Sequence, residues 1–175
     1  CAFIGRITQI KRPDRFLDVV AEVKSRGIDL HFILAGAGEH LQYCQDRAES
    51  ENLPVTFLGW REDIEVVLAA ADFVLLTSDN EGTPLSLIQA GMVGIPVVAT
   101  NVGSMADVVI DGVNGFLTST KVDEIGAALL MLAQRPELRL EMGAAGRNLA
   151  RSRFSTQAMI SAHQDIYSQL VLRNN

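Results

Sequence analysis

Short apolar runs alternate with helical patterns along almost the whole chain, and that alternation restricts the fold more than any single motif. Cys1–Gly5, Leu30–Ala35, Val55–Leu58, Asp72–Thr77 and Val97–Thr100 each read as a strand. Helical patterns separate them at 13–26, about 39–51, about 62–71 and from Thr83 onward. In the first, Phe16, Leu17, Val20 and Val23 share a face, and Gly27 follows as a stop. Asp63 suits the first turn of the third. Beyond Val97–Thr100 comes a short helix near 104–110, then a turn framed by Gly112 and Gly115 and a strand at 116–118. Three helices, about 121–134, 136–151 and 155–172, close the chain, with Pro136 as a helix start and Ser155 as a cap. Continuous apolar strands separated by helices and by loops of about 2–6 residues predict a doubly wound, parallel α/β sheet with C-terminal helices. Ligands of such sheets bind beyond the carboxyl ends of the strands. The loops at Arg6, Gly36, Gly59, Ser78–Glu81 and Val102–Ser104 all follow strands, so the fold can gather them at one edge.

The stretch Asp79–Ala90 is the most informative of these junctions. Thr83 reads as a helix N-cap and Pro84 as the first helical residue, where a missing N–H costs nothing. Unpaired backbone N–H groups of Gly82, Thr83, Leu85 and Ser86 would then meet an anion such as phosphate, with the helix dipole behind them. Gly82 allows close approach, and Glu81 at the rim suits hydroxyl groups beside the phosphate. Read on these residues alone, a plain capped helix after a core strand fits equally well.

Glu81-Gly82-Thr83-Pro84, with Gln89-Ala90 after four residues, resembles the Glu-Gly-x-Pro-x-x-x-x-Glu-Ala signature of retaining glycosyltransferases of the GT-B fold. The resemblance is to their group 1 family (family 4). Other segments match that family in order: Gly5-Arg6 with Lys11, Ala35–Glu39, Val55–Gly59, Gly94–Thr100, Asn114–Leu117 and Arg153–Ser155. One departure is Gln89, where the family carries its second signature glutamate.

The resemblance implies a Rossmann-like, C-terminal half of a GT-B enzyme that binds a nucleoside diphosphate sugar, with a UDP-sugar as the expected donor. It implies retained anomeric configuration and no metal or other cofactor. Arg6 and Lys11 would contact the donor diphosphate and stabilise charge on the leaving oxygen, and Glu81 would hold the transferred sugar. Gly5, the Gly36/Gly38 turn and Gly59-Trp60-Arg61 would approach the nucleotide, Ser78 would lie beside Glu81, and Gln89 would face ribose. Without the resemblance, Arg6 and Lys11 read as solvated loop cations, Gly36/Gly38 as a tight turn and Trp60 as a half-buried loop aromatic.

The totals bound the rest. At 175 residues the chain suits one domain, with its opening on strand-like Cys1–Gly5 pointing to a cut from a longer protein. A net charge of −6 argues against a nucleic-acid surface. No apolar run reaches the length of a membrane span, and Cys1 and Cys44 lack metal-type spacing, which fits a cytoplasmic setting with reduced thiols. His31, His40 and His163 have no ligand-spaced partners. Glycines 143 and 146 within a helix point to close helix packing. The acceptor, whether glycan, lipid or small molecule, would be bound by an N-terminal domain outside this segment. The helix at 155–172 would pack towards that domain, and the membrane could be reached peripherally through it. On this reading the isolated segment is inactive. Two alternatives share the architecture: a sugar-nucleotide 2-epimerase, and a non-catalytic nucleotide-binding relative, motivated by Gln89.

Overall fold

The computed structural model describes residues 1–173, and Asn174 and Asn175 lie outside it. Six parallel strands form one sheet: β1 (Ala2–Ile4), β2 (Phe32–Ala35), β3 (Val55–Gly59), β4 (Val74–Leu76), β5 (Val97–Thr100) and β6 (Gly115–Thr118). Their spatial order is β3-β2-β1-β4-β5-β6. The helices are α1 (Pro13–Ser25), α2 (Leu41–Ser50), α3 (Ile64–Ala69), α4 (Leu85–Val93), α5 (Met105–Val108), α6 (Val122–Gln134), α7 (Pro136–Phe154) and α8 (Thr156–Arg173). The doubly wound expectation therefore holds, with element ends displaced by a few residues.

The central strands are apolar because both of their faces are covered. Every residue of β1, β4 and β5 is buried. Phe16 of α1 packs edge-on between Phe3 of β1 and Phe32 of β2, with ring centroids 5.3 and 5.8 Å apart. The chain runs outward from β1 to β2 and β3, then returns to the other flank of β1 at β4. Right-handed crossovers taken in opposite directions put α1 and α4 on opposite faces. The β1/β4 boundary is thus the point where strand order reverses, and the loops after those two strands splay apart around a crevice.

Glycine pays out at the α4–α7 seam as close packing. A Cβ on Gly143 would stand 2.0 Å from the Gly94 carbonyl oxygen, and one on Gly91 would stand 3.2 Å from the Ala150 Cβ. Gly94 ends α4 in the left-handed conformation, with φ of 80°. Ser155 caps α8 through the Ala158 N–H. Among the described residues no helix is long and apolar enough to cross a membrane, and Cys1 and Cys44 are free and buried. Burial pushes the Cys44 thiol up to about 11, which keeps it protonated and unreactive at neutral pH.

Two helix starts differ from expectation. Pro84, not Thr83, is the N-cap of α4: its ψ of 93° is extended, and helical geometry begins at Leu85. The Pro84 carbonyl accepts from the Leu87 and Ile88 N–H groups, so it closes the first turn without a side-chain cap. Asp63 is the residue before α3 and makes no capping bond, because its carboxylate is taken by Arg61.

Candidate functional site

A cleft of about 480 Å³ opens at the β1/β4 boundary, within the range of small-ligand sites. Gly5, Arg6 and Lys11 line it from the loop after β1, Gly36 from the loop after β2, and Trp60 and Arg61 from the loop after β3. Glu81, Thr83, Pro84, Leu85, Ser86 and Gln89 line it from the loop after β4 and from α4. Four separate strand ends thus supply one cavity.

Two features of the cleft suit an anion. Among the described residues, the backbone N–H groups of Gly82, Thr83, Leu85 and Ser86 find no acceptor within the chain. They lie at the positive end of the α4 dipole. Arg6 is exposed and makes no ion pair among the described residues. Lys11 ends a 3-10 turn at Gln9–Lys11 and pairs with Glu81, with only 16% and 9% of the two side chains exposed.

Glu81 is held on one side only. Its Oε1 accepts from Lys11 Nζ and, at 2.5 Å, from Ser78 Oγ. Among the described residues Oε2 accepts nothing, so one carboxylate oxygen is left for a ligand hydroxyl.

Four expected site residues stand off the cleft. Ser78 is fully buried and reaches the site only through Glu81. Gly38 packs on the loop after β1, where an added Cβ would stand 2.4 Å from the Ile7 carbonyl oxygen. Gly59 adopts a left-handed φ of 66° and receives the Gly36 N–H on its carbonyl at 2.7 Å. Gly82 adjoins the cleft through its neighbours, and an added Cβ there would meet open space. Gly103 supports the site from behind: its Cβ position falls 2.0 Å from the Glu81 carbonyl oxygen, which also accepts from the Ser104 N–H at 2.9 Å. Trp60 is 71% exposed, so it forms a wall of the cleft and not part of the core.

A second group escaped sequence reading. Arg15 is buried, donating to the Thr77 carbonyl at 2.7 Å and to Asp79 Oδ1 at 2.7 Å. Arg12 spans Asp14 and Asp79 from a left-handed backbone with φ of 51°. Cations in the first turn of α1 oppose the helix dipole, and that conflict was the available hint of acidic partners. Hydrogen bonding from Arg12 holds the Asp14 carboxyl low.

Desolvation works to raise the Asp79 carboxyl, but bonds from Arg15 and Arg12 overcome it and set its pKa below the ordinary value. A carboxyl held low in the folded state stabilises the fold above the unfolded value of about 4, and that stability is lost as pH falls through the folded value. Asp79→Asn is therefore expected to lower stability at pH 7 and to flatten its decline in acid. Urea unfolding across a pH series checks this; equal slopes for both proteins would contradict the pairing.

Among the described residues no group of three or more His, Cys, Asp or Glu is placed to hold a metal ion. Residues 1–149 match the family model described as glycosyl transferases group 1. The chain is 28% identical to N-acetyl-alpha-D-glucosaminyl L-malate synthase of Bacillus anthracis, over 98% of this chain and 45% of that protein. It is 34% identical to D-inositol 3-phosphate glycosyltransferase of Saccharomonospora viridis, over 96% of this chain and 42% of that one. The chain thus spans less than half the length of these curated relatives. TarM of S. aureus, solved with fondaparinux, alpha-GlcNAc-glycerol and UDP, matches with a TM-score of 0.88 at 25% identity, covering 95% of this chain and 34% of that one. The C-terminal domain of LpcC, a glycosyl transferase group 1 family protein from Francisella tularensis, matches in fold with a TM-score of 0.79. Identity there is 22%, over 89% of this chain and 85% of that one.

Proposed function

This chain belongs to the group 1 glycosyltransferases and carries a Rossmann-like half of the GT-B fold, and on that premise we propose that it binds the sugar donor of a larger enzyme. The donor is a nucleoside diphosphate sugar, with UDP as the nucleotide. One observation carries the reading: Arg6, the Lys11–Glu81 pair and the unpaired start of α4 face a single cleft.

The chemistry follows from charge. As the bond between the anomeric carbon and the diphosphate oxygen breaks, its electron pair leaves with the diphosphate. Lys11, Arg6 and the Leu85 and Ser86 amides stabilise the added negative charge. The acceptor hydroxyl oxygen bonds the anomeric carbon and passes its proton to the departing diphosphate oxygen, which has just taken the electron pair. Glu81 Oε2 accepts from a hydroxyl of the transferred sugar and fixes its orientation. Retained anomeric configuration and independence of metal belong to the same reading and rest on the family resemblance. The acceptor sits on a domain beyond this segment, so the segment alone is expected to be inactive. Exposed Met159, Ile166 and Tyr167 of α8 fit a helix that packs against that domain.

Gln89 favours a second reading, binding without transfer. It lines the cleft, but an amide offers one accepting oxygen where a carboxylate accepts from both ribose hydroxyls. Titrating the complete protein with UDP-sugars and analysing products separates the readings: transfer supports the first, binding without turnover the second, and donor interconversion an epimerase. Gln89→Glu is expected to tighten UDP binding about tenfold, the size of one charge-assisted hydrogen bond. Calorimetry checks it; an unchanged Kd would place Gln89 away from ribose.

A further inference from the structure

Thr77 and Ser78 follow β4 directly and are both fully buried, yet neither lines the cleft. A buried hydroxyl is costly unless it is bonded, so its partner shows what it is for. The Thr77 hydroxyl donates to the carbonyls of Lys11 at 3.1 Å and Arg12 at 3.0 Å, sharing one proton between them. The Ser78 hydroxyl donates to Glu81 Oε1. Successive residues of an extended chain point to opposite sides, which is why two neighbours reach two different loops.

The backbone of this dipeptide is pinned as well. The Thr77 carbonyl accepts from buried Arg15 at 2.7 Å, and the Ser78 carbonyl accepts from Thr100 Oγ1 at 2.6 Å. The next residue, Asp79, donates its N–H to the Ile10 carbonyl at 2.9 Å. One end of the Lys11–Glu81 pair is therefore set by the Thr77 hydroxyl and the other by the Ser78 hydroxyl, from a common rigid support.

We infer that Thr77 and Ser78 are positioning residues that hold Lys11 and Glu81 in register across the β1/β4 boundary, Thr77 serving the diphosphate side and Ser78 the sugar side. The inference rests on the donor-binding reading. Ser78 and Lys11 both occupy Glu81 Oε1, which leaves Oε2 as the oxygen open to a ligand hydroxyl. Without the Ser78 hydroxyl the carboxylate is tethered by the flexible lysine alone, and either oxygen can face the cleft. Without the Thr77 hydroxyl the backbone of Lys11 and Arg12 loses its anchor, and the ammonium group drifts from the phosphates.

The two roles predict different signatures in the complete protein. UDP affinity is measured by calorimetry, and UDP release is followed from UDP-glucose, UDP-galactose and UDP-N-acetylglucosamine. Ser78→Ala should leave the Kd for UDP within about twofold, while UDP release and the extra affinity for UDP-sugar over UDP fall about 10–100-fold, the effect of a small misplacement at the reacting centre. Thr77→Val should raise the Kd for UDP about tenfold, and Thr77→Ser, which keeps the hydroxyl, should restore it. Thermal unfolding of each variant separates positioning from packing. If Ser78→Ala matches wild type, or if both variants lose UDP affinity and turnover together in step with Tm, the positioning role is overturned. A wild-type protein that binds none of UDP, GDP or ADP overturns the donor reading itself, and this inference with it.

Discussion

Lys11→Ala in the complete protein is expected to lower sugar transfer by about 10²–10³-fold, the cost of removing one fixed charge donor from a leaving-group site. The Lys11 side chain is only 16% exposed and its partner Glu81 9%, so their field is less screened by water than that of a surface pair. Loss of the ammonium acts twice. It removes a positive charge from the diphosphate side, and it leaves the Glu81 carboxylate unneutralised in the same cleft, where it repels phosphate. Arg6→Ala should cost less and depend more on salt, because Arg6 is exposed and its charge is more easily screened. Both variants should weaken nucleoside diphosphate binding far more than nucleoside binding. Steady-state kinetics and paired titrations with UDP and uridine check the result. A Lys11→Ala enzyme within threefold of wild type, or equal losses for UDP and uridine, would remove Lys11 from the diphosphate. Glu81→Gln in the Lys11→Ala background should recover part of the UDP affinity, since it deletes the stranded charge.

The layered fold could be read from the chain because its signal is local. Short, β-branched apolar runs such as Val97–Thr100, bounded by turn residues, favour strands covered on both faces, and Gly94 and Pro136 mark boundaries within their own turns. The convergence of Arg6, Lys11 and Glu81 was legible for a related reason, since in a parallel sheet loops that follow strands share an edge, whereas Gln89, inside α4, was placed there by the family resemblance alone. What stayed hidden is chemistry between residues far apart in sequence. The bonds joining Lys11 to Glu81, Arg15 to Asp79 and Thr77 to the Lys11 carbonyl span 70, 64 and 66 positions. No periodicity encodes such pairs, because each depends on side-chain reach across a boundary that only the folded sheet creates. The α4 start shifted by one residue because the carbonyl of Pro84, and not the hydroxyl of Thr83, closes the first turn. Gly38 is demanded by backbone packed against backbone and Gly59 by a left-handed φ of 66°, and sequence cannot distinguish either from an ordinary tight turn.

That distinction gives the other large effect. Gly36→Ala places a Cβ 1.8 Å from the Gly5 carbonyl oxygen, a contact between two backbones that no rotamer change relieves. Gly5 donates its N–H to the Ala35 carbonyl at 3.0 Å, and Gly36 donates to the Gly59 carbonyl at 2.7 Å, so three strand-end loops must move together. The expected loss is about 3 kcal/mol, the upper end of overpacking, or roughly 6–12 °C in Tm for a domain of this size. Because Arg6 follows Gly5 directly, the same displacement should weaken UDP binding about tenfold or more in the fraction that remains folded. Gly82→Ala is the matched contrast. Its Cβ meets nothing within 4 Å and its φ is not in the left-handed region, so stability should stay within about 0.5 kcal/mol of wild type. Any fall in UDP affinity in that variant then reports a methyl group lying where the diphosphate approaches the start of α4, with no contribution from misfolding. If Gly82→Ala binds UDP as tightly as wild type, the amides it precedes do not cradle the phosphate. If Gly36→Ala unfolds at the wild-type temperature, the loops at the sheet edge are not held by this contact.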